Sequence, residues 1–548
     1  MTVLTMNRKE LEARVGKITP EIENKITMMG TPVENVSENE VAVEVFPNRP
    51  DLLSLQGFAR SFLQYIGKTN PAQFVVNKPE KDYAVTIDKS VKQVRPQTVC
   101  AIVKNLKLND EKIKEIVDIQ EKLHLTIGRK RKKLAIGVYP LEHIKLPITF
   151  MAKKPEDIKF VPLESPGLKE MNGRQILRNH PTGRDYAFLL EDAEVFPVFV
   201  DASNKILSMP PIINSHETGK ITEKTTEVFI ECSGHNLPYL KKALNIIVAA
   251  MIDMGGKVYA MNIYEGWTGK TITPDLEPEQ MEFSIENINK VLGLQLTEKE
   301  IIKNLQKMGV GYKNEKGKSI ALVPAYRADV LHWVDLAEEV AIGYGYDNFK
   351  PEIPAISTIG EEDFSAVKKR TVCSILTGLG LLECSSFHLT TKDDIKKMNY
   401  EFRDFIEVLD SKTEYQVLRN DLTSNLLKIF SENSDSQYPQ KIFEIGRVFE
   451  LDKESKTETG IKETDKLAIA ICQETVSFTD LKQILDYLFK MLEKPYEIKE
   501  AEVVGYISGR CGHILVDGKV IGVLGEIAPR VLKNWKIKMP VVSCEIEI

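Results

Sequence analysis

The chain has 548 residues, too long for one hydrophobic core, so about three to five domains are expected. Apolar residues at 43% and charged residues at 28% are those of a soluble globular protein, and a net charge of −6 gives neither nucleic acid nor a membrane surface a global attraction. Seven scattered cysteines with no C-x-x-C pair argue against a disulfide framework or zinc ribbon and fit a reducing cytosol. The most apolar run, Leu244 to Met254, is broken by Asn245 and Asp253 and is too short to span a bilayer. The expectation is a cytoplasmic, multidomain α+β protein with no membrane association.

Residues 1–80 predict a small α/β domain. Asn7 caps a first helix carrying Leu11 and Val15. A strand and a Pro-rich turn precede a second helix, in which Leu52, Leu55, Phe58, Ala59, Phe62, Leu63 and Ile66 recur at helical spacing. Asp51 is placed to cap that helix, and residues 70–79 are expected to be a weakly structured linker.

Residues 81–268 alternate strands and helices. YAVTI, QTVCAIVKNLKL, LAIGVYPL and DYAFLLEDAEVFPVFV are expected in sheet, and the helix opened by Asp110 carries Ile113, Ile116, Val117 and Leu123 on one stripe. LPYLKKALNIIVAAMIDMGG predicts a buried helix closed by glycines. Residues 274–352 predict a winged-helix-like helical module. Thr297 and Glu300 form a capping box there, Gly309 ends its helix, and a short hairpin leads into SIALVPAYR. A further helix follows, with Leu331, Val334, Leu336, Val340 and Ile342 as its apolar positions. Residues 356–548 predict a helix feeding a large antiparallel sheet. FIEVLD, QKIFEIGRVFEL, KLAIAIC, GRCGHILVDGKVIGVLGEI and VVSCEIEI supply strands, and Asp517-Gly518 a hairpin turn.

Two charged groups stand out. Asp329, Asp335, Glu338 and Glu339 are spaced so that Asp335 shares a helix face with Glu338 and Glu339 while Asp329 folds back on the same end. Like charges this close need a cation, a basic partner or plentiful water, and oxygen ligands without His or Cys favour Mg2+ or Ca2+ over zinc. A solvated acidic face is the other reading. The run GRKRKK, with Arg129, Lys130, Arg131, Lys132 and Lys133, suits either a nucleic-acid backbone or a solvated hairpin tip. His180, His216 and His235 lack zinc-site spacing and are expected to be structural, with Cys232 a small buried filler.

The string VPAYRADVLHWVDLAEEVAIGYGYDN resembles the signature of one domain of the phenylalanyl-tRNA synthetase beta-subunit family. NRPDLLSLQGFAR is similar to that family's N-terminal domain. RNDLTSNLLKIF, KIFEIGRVF and GHILVDGKVIGVLGEIAPRVLKNW are similar to its class II synthetase-like domain, so the likeness spans the chain. A chain closing on PVVSCEIEI straight after that sheet resembles the shorter archaeal and eukaryotic-cytosolic type.

The resemblance implies an N-terminal domain at 1–80, a tRNA-editing domain at 81–268, a winged-helix-like Mg2+-binding domain at 274–352 and a non-catalytic class II-like domain at 356–548. It implies Mg2+ at Asp329, Asp335, Glu338 and Glu339, at a subunit contact. It also implies an α2β2 tetramer whose alpha subunit handles ATP and phenylalanine and charges tRNA-Phe. This chain would supply scaffold, tRNA contacts and hydrolysis of Tyr-tRNA-Phe. Arg419, Arg447 and Arg530 sit in no complete set of class II motifs, which agrees with aminoacylation residing elsewhere. The editing candidates are Ser208 and Glu231, to recognise a phenolic hydroxyl, and Asn214 and Ser233, to position ester or water. An apolar pocket rejects an added hydroxyl poorly, so a polar second sieve is useful. The rival expectations are a non-hydrolytic tRNA- or protein-binding scaffold and a metal-dependent enzyme using the acidic cluster.

Overall fold

The computed structural model describes residues 2–266, 269–398, 404–409, 411–454 and 457–548. Two compact units divide it, Met1–Ile353 and Pro354–Ile548. The expected boundary at 268 lies outside the described residues.

The first unit opens with a three-stranded antiparallel sheet in the order Thr2–Asn7, Glu40–Val45, Val33–Val36. Its Leu4, Met6, Val41 and Val43 join Leu11, Val15 and Phe58 of neighbouring helices in one buried core. Asn7 caps helix Arg8–Val15, accepting from the amides of Lys9 and Glu10. Helix Leu55–Tyr65 is capped by Ser54 rather than Asp51. Asp51 lies one turn earlier and is fully buried, and Arg49 grips both its oxygens at 2.9 and 2.8 Å. A buried carboxylate needs a countercharge, and the helix end already has its cap. Within the expected linker, Val76–Asn77 adds a short strand parallel to Lys257–Glu265.

The centre of this unit is a mixed sheet of eleven strands among the described residues. Its path runs Ile213–Asn214, Ile206–Met209, Phe196–Val200, Ile148–Lys153, Ala84–Ile87, Lys257–Glu265, Gln97–Lys104, Val228–Gly234, Leu134–Pro140. The last three strands are buried almost throughout, so they carry continuous apolar runs rather than alternation. Helix Leu237–Asp253, capped by Asn236 and followed by Gly255 at φ 100°, packs on Gln97–Lys104 and Val228–Gly234.

Local expectations change at two places. DYAFLLEDAEVFPVFV is strand only over Phe196–Val200; Pro181–Asp185 and Ala187–Leu189 are helical turns, the first pre-set by proline at its opening position. On helix Asp110–Leu125 the core stripe is Ile116, Ile119 and Leu123, while Val117 is 52% exposed. One residue further along rotates a side chain by about 100° and carries it off the buried face.

Strands Glu279–Phe283, Lys318–Val323 and Gly311–Glu315 form a small antiparallel sheet with helices Ile285–Leu292, Glu298–Lys307 and Trp333–Tyr344. Ile288, Ile301, Leu305, Leu336 and Val340 are its core. The Thr297–Glu300 capping box is present. Leu331, expected on the apolar face, is 81% exposed, because His332 is the N-cap and Leu331 therefore precedes the helix.

In the second unit a seven-stranded sheet runs Leu382–Glu383, Gln440–Leu451, Ile461–Cys472, Val541–Glu547, Lys519–Ile527, Tyr506–Val516, Glu497–Glu500, antiparallel except at its first pair. Alternation divides its faces: Ala468, Ala470 and Cys472 join Leu426, Leu427 and Phe430 in one core. Leu467, Ile469 and Ile471 join Leu481, Leu485 and Leu488 in the other. FIEVLD contributes an isolated bridge, Glu407 to Val417, and its residue 410 lies outside the described residues. Asp517 and Gly518 turn their hairpin with φ of 50° and 75°. No helix among the described residues is long and apolar enough to cross a membrane.

Candidate functional site

The two ends of the eleven-stranded sheet come together through one side chain. Tyr139, on the end strand Leu134–Pro140, places its hydroxyl 2.8 Å from Ser208 Oγ, 3.3 Å from Asn214 Oδ1 and 3.2 Å from Glu231 Oε1. Ser208 and Asn214 face each other in the strand pair at the opposite end. Glu231 faces Gly137 across the Leu134–Pro140 pairing. A Cβ at 137 would lie 2.2 Å from the Tyr139 hydroxyl and 2.7 Å from Glu231 Oε1, so the contact exists because that residue has no side chain. Arg95, just ahead of strand Gln97–Lys104, donates its Nε to Ser233 Oγ at 3.0 Å and Nη2 to the Ser233 carbonyl. Ser233 in turn hydrogen-bonds Glu231. The four residues singled out in the sequence thus fall in one network, Ser208, Glu231 and Ser233 buried and Asn214 half-buried, tied by Tyr139 and Arg95, which the sequence reading missed.

Burial pushes the Glu231 carboxyl up to about 7, against the pull of the Arg95 charge and of hydrogen bonds from Tyr139 and Ser233. Its Oε2 is buried without a hydrogen-bond partner. Burial also brings Arg95 down to about 10, an effect the Glu231 charge opposes. The Tyr139 phenol and the Cys100 and Cys232 thiols are raised by burial first and by Glu231 second. Cys232 is therefore an inert buried thiol rather than a nucleophile. A single phenolic proton cannot serve three acceptors. Tyr139 therefore donates to one of the three at a time, to Glu231 Oε1 or to Ser208 or Asn214.

A cavity of about 710 Å³ opens beside this network, within the range of small-molecule sites. Asn214, His216 and Glu231 line it, with Ile136, Val138 and Ile212 as apolar wall; Ser208, Ser233 and Tyr139 stand behind that lining. His216 Nδ1 is buried without a partner. His124, also lining the cavity, accepts from the Ile136 amide at 2.8 Å through Nε2 and meets Glu121 Oε1 at 3.1 Å through Nδ1. Burial lowers its pKa, so it stays neutral and serves as a fixed strut. His180 binds the Leu163 carbonyl through Nε2, and His235 is exposed, its pKa lowered by partial desolvation first and by the Arg95 charge second.

The basic run divides in two. Arg129, Lys130 and Arg131 have φ of 46°, 54° and 62°, a left-handed turn that non-glycine residues adopt only at a cost. Arg129, Lys130 and Lys132 are exposed. Arg131 folds inward, donating to the Ile212 carbonyl at 2.8 Å and Glu121 at 2.7 Å, with its guanidinium 4.2 Å from the Tyr186 ring centre. Lys133 lies over Tyr239 at 5.1 Å. Two of the five thus already have aromatic partners, and one of these, Arg131, walls the cavity.

The acidic group is likewise rearranged. Arg327, 1% exposed, donates to both oxygens of Asp329 at 2.8 and 2.7 Å and meets both oxygens of Glu339 at 3.0 and 2.8 Å. Asp335 Oδ2 accepts from the amides of Leu331 and His332, both at 2.7 Å, closing the helix N-terminus. Glu338 is exposed, its carboxyl pushed up by partial burial and by Glu339, Asp335 and Asp329. Among the described residues no group of three or more His, Cys, Asp or Glu is arranged to hold a metal ion. The four carboxylates do not converge as one ligand set, because a basic partner supplied by the chain itself occupies two of them.

In the second unit Arg419 is buried and pairs with Glu444 at 2.6 Å, braced by Ser386. Arg447 is exposed and pairs with Glu463 and Asp465. Both are engaged in ion pairs within this unit. A separate cavity of about 920 Å³ on this sheet carries mixed charge, including Lys462, Lys466, Glu450 and Glu545. Lys466 and Glu545 are paired at 3.1 Å, so part of that charge is internally neutralised.

Three family models match: the B3/4 domain over residues 80–245, the tRNA synthetase B5 domain over 281–346, and the phenylalanyl tRNA synthetase beta chain CLM domain over 350–548. The phenylalanine–tRNA ligase beta subunit of Thermococcus sibiricus is 38% identical over 506 residues, covering 91% of this chain and 88% of the relative. That of Archaeoglobus fulgidus is 34% identical over 565 residues, covering 100% and 98%. An N-terminal fragment of the Pyrococcus horikoshii phenylalanyl-tRNA synthetase beta subunit superposes with a TM-score of 0.60 at 32% identity, covering 63% of this chain and 99% of the fragment. With relatives of this identity matched along nearly their whole length, the chain belongs to the phenylalanine–tRNA ligase beta-subunit family.

Proposed function

We propose that this chain acts in the cytoplasm as the beta subunit of a phenylalanine–tRNA ligase. Its alpha partner, in an α2β2 complex, joins phenylalanine to tRNA-Phe with ATP, and the cavity beside Glu231 hydrolyses Tyr-tRNA-Phe. The observation that carries the hydrolytic reading is a buried carboxylate, at an apolar-walled cavity, with one oxygen held and the other without a partner. A tyrosyl ring laid against the wall of Ile136, Val138 and Ile212 would bring its hydroxyl to the buried, unpartnered Glu231 oxygen. A phenylalanyl ring leaves that oxygen unpaired, at a cost of about 1–3 kcal/mol, or roughly tenfold to a hundredfold in occupancy. Asn214 and His216, which line the same cavity, hold the ester and the attacking water. Ser208 and Ser233 brace the network from behind, a change from the direct roles expected of them.

The domain reading goes with this proposal: N-terminal domain at 1–80, editing domain at 81–268, winged-helix-like domain at 274–352, non-catalytic class II-like domain at 356–548. The exposed Arg129, Lys130 and Lys132 face the acceptor end of the tRNA. Mg2+ keeps several waters and uses one or two carboxylates, so Glu338 with the remaining oxygen of Asp335 suits it while Asp329 and Glu339 stay with Arg327. Bound there, it supplies positive charge at a subunit surface and takes no part in hydrolysis.

The test is deacylation of Tyr-tRNA-Phe by the chain reconstituted with its alpha subunit. Release of tyrosine well above the spontaneous rate, with Phe-tRNA-Phe spared, is the expected result. No release, with or without alpha, leaves the non-hydrolytic scaffold as the correct reading.

A further inference from the structure

We propose that Tyr139 is the positioning residue that gives the Glu231 cavity its selectivity, by holding one carboxylate oxygen through its own phenol and leaving the other as the acceptor for a substrate hydroxyl. This rests on the hydrolytic reading above.

The geometry supports it from three directions. Tyr139 Oη touches Ser208, Asn214 and Glu231 at once, so a single side chain joins both ends of the sheet to the carboxylate. Gly137 opposite Glu231 leaves the space this contact needs. Of the two Glu231 oxygens only Oε1 is engaged by Tyr139, and Oε2 is the buried one without a partner. A carboxylate free to rotate would present either oxygen, or turn toward Arg95, and its discrimination would fall. Tyr139 itself is not a lining residue and reaches the substrate through Glu231 and Asn214, which are.

The charged and titratable groups around Glu231 are Arg95 ahead of strand Gln97–Lys104, Cys100 on that strand, Tyr139 on Leu134–Pro140 and Cys232 beside it on its own strand, with Glu121, His124, Arg131 and His216 lining the same cavity. The hydrogen bond from Tyr139 favours the ionised carboxylate, so its removal moves the ionisation to higher pH.

The experiment measures kcat and KM for deacylation of Tyr-tRNA-Phe and Phe-tRNA-Phe by the α–β complex across about pH 6 to 9, for wild type and Tyr139→Phe. The expected result is a fall of about tenfold in the preference for the tyrosyl over the phenylalanyl ester, with the pH profile displaced upward. Gly137→Ala, whose Cβ would wedge the same pair apart, is expected to give the same displacement and serves if Tyr139→Phe fails to fold. A wild type that hydrolyses Tyr-tRNA-Phe beside a variant of unchanged preference and pH profile overturns the role of Tyr139 and leaves the editing reading standing. A wild type with no hydrolysis overturns both. An equal loss on both esters with an unmoved profile marks Tyr139 as merely structural and also overturns the proposal.

Discussion

Arg327→Met removes the cation at the centre of the acidic group while keeping an apolar stem of similar length. In the folded chain Asp329 and Glu339, with side chains 10% and 6% exposed, each meet Arg327 with both oxygens, and the Met308 carbonyl takes a further bond at 3.1 Å. At an effective dielectric of about 20, each close pair is worth about 4 kcal/mol before desolvation. Breaking a buried pair from one side costs about 3–5 kcal/mol, because the carboxylates left behind have no countercharge. Asp335 and Glu338 on the same helix add repulsion rather than relief. Hydrogen exchange at the amides of helix Trp333–Tyr344 reports this locally, and the variant is expected to exchange faster by about a hundredfold to a few thousandfold. Arg327→Lys should recover only part of the loss, since an ammonium cannot grip two carboxylates bidentately. Exchange changed by less than about threefold in Arg327→Met would refute the reasoning. So would a wild type in which EDTA alone reproduces the hundredfold loss, since a bound ion would then be the main countercharge.

Glu231→Gln tests the buried carboxyl. Its pKa is raised from the usual 4.5 to about 7, so the stability it contributes is present below about 4.5 and lost as pH rises through about 7. Wild type should therefore lose up to about 3 kcal/mol at strand Val228–Gly234 between pH 5 and 8 that the glutamine variant does not, read by exchange or urea unfolding at both pH values. The basic turn gives a paired prediction. Lys130→Ala, exposed, should weaken tRNA binding and reduce the salt slope by about 0.7–0.9, with the fold unchanged. Arg131→Ala should leave that slope nearly intact and instead loosen the cavity wall at Ile212 and Tyr186, seen as lower thermal stability and weaker deacylation.

Much of this molecule is legible without coordinates. The helix caps at Asn7 and Thr297, the glycine after the Leu237–Asp253 helix and the Asp517-Gly518 hairpin are decided by atoms a few residues apart, so local chemistry determines them. Where the reading failed, a distant partner or a facing surface had intervened. Asp51 was free to cap a helix until burial required Arg49 to neutralise it. Val117 belongs to the apolar count but lines the cavity rather than the core.

For the acidic group, the sequence determined that four carboxylates must share one short stretch and find a countercharge; tertiary packing decided that Arg327, folded into the core, takes two of them. For the cavity, the sequence supplied Ser208, Asn214, Glu231 and Ser233 from three separate strands, but nothing in it brought them together. Tyr139 lies in a run buried on both faces, where alternation is lost, and Arg95 is separated from Ser233 by well over a hundred residues. Only the sheet curling back, so that its first and last strands meet, turned those scattered polar residues into one network. Sheet curvature is a property of all its pairings together, and no window along the chain contains it.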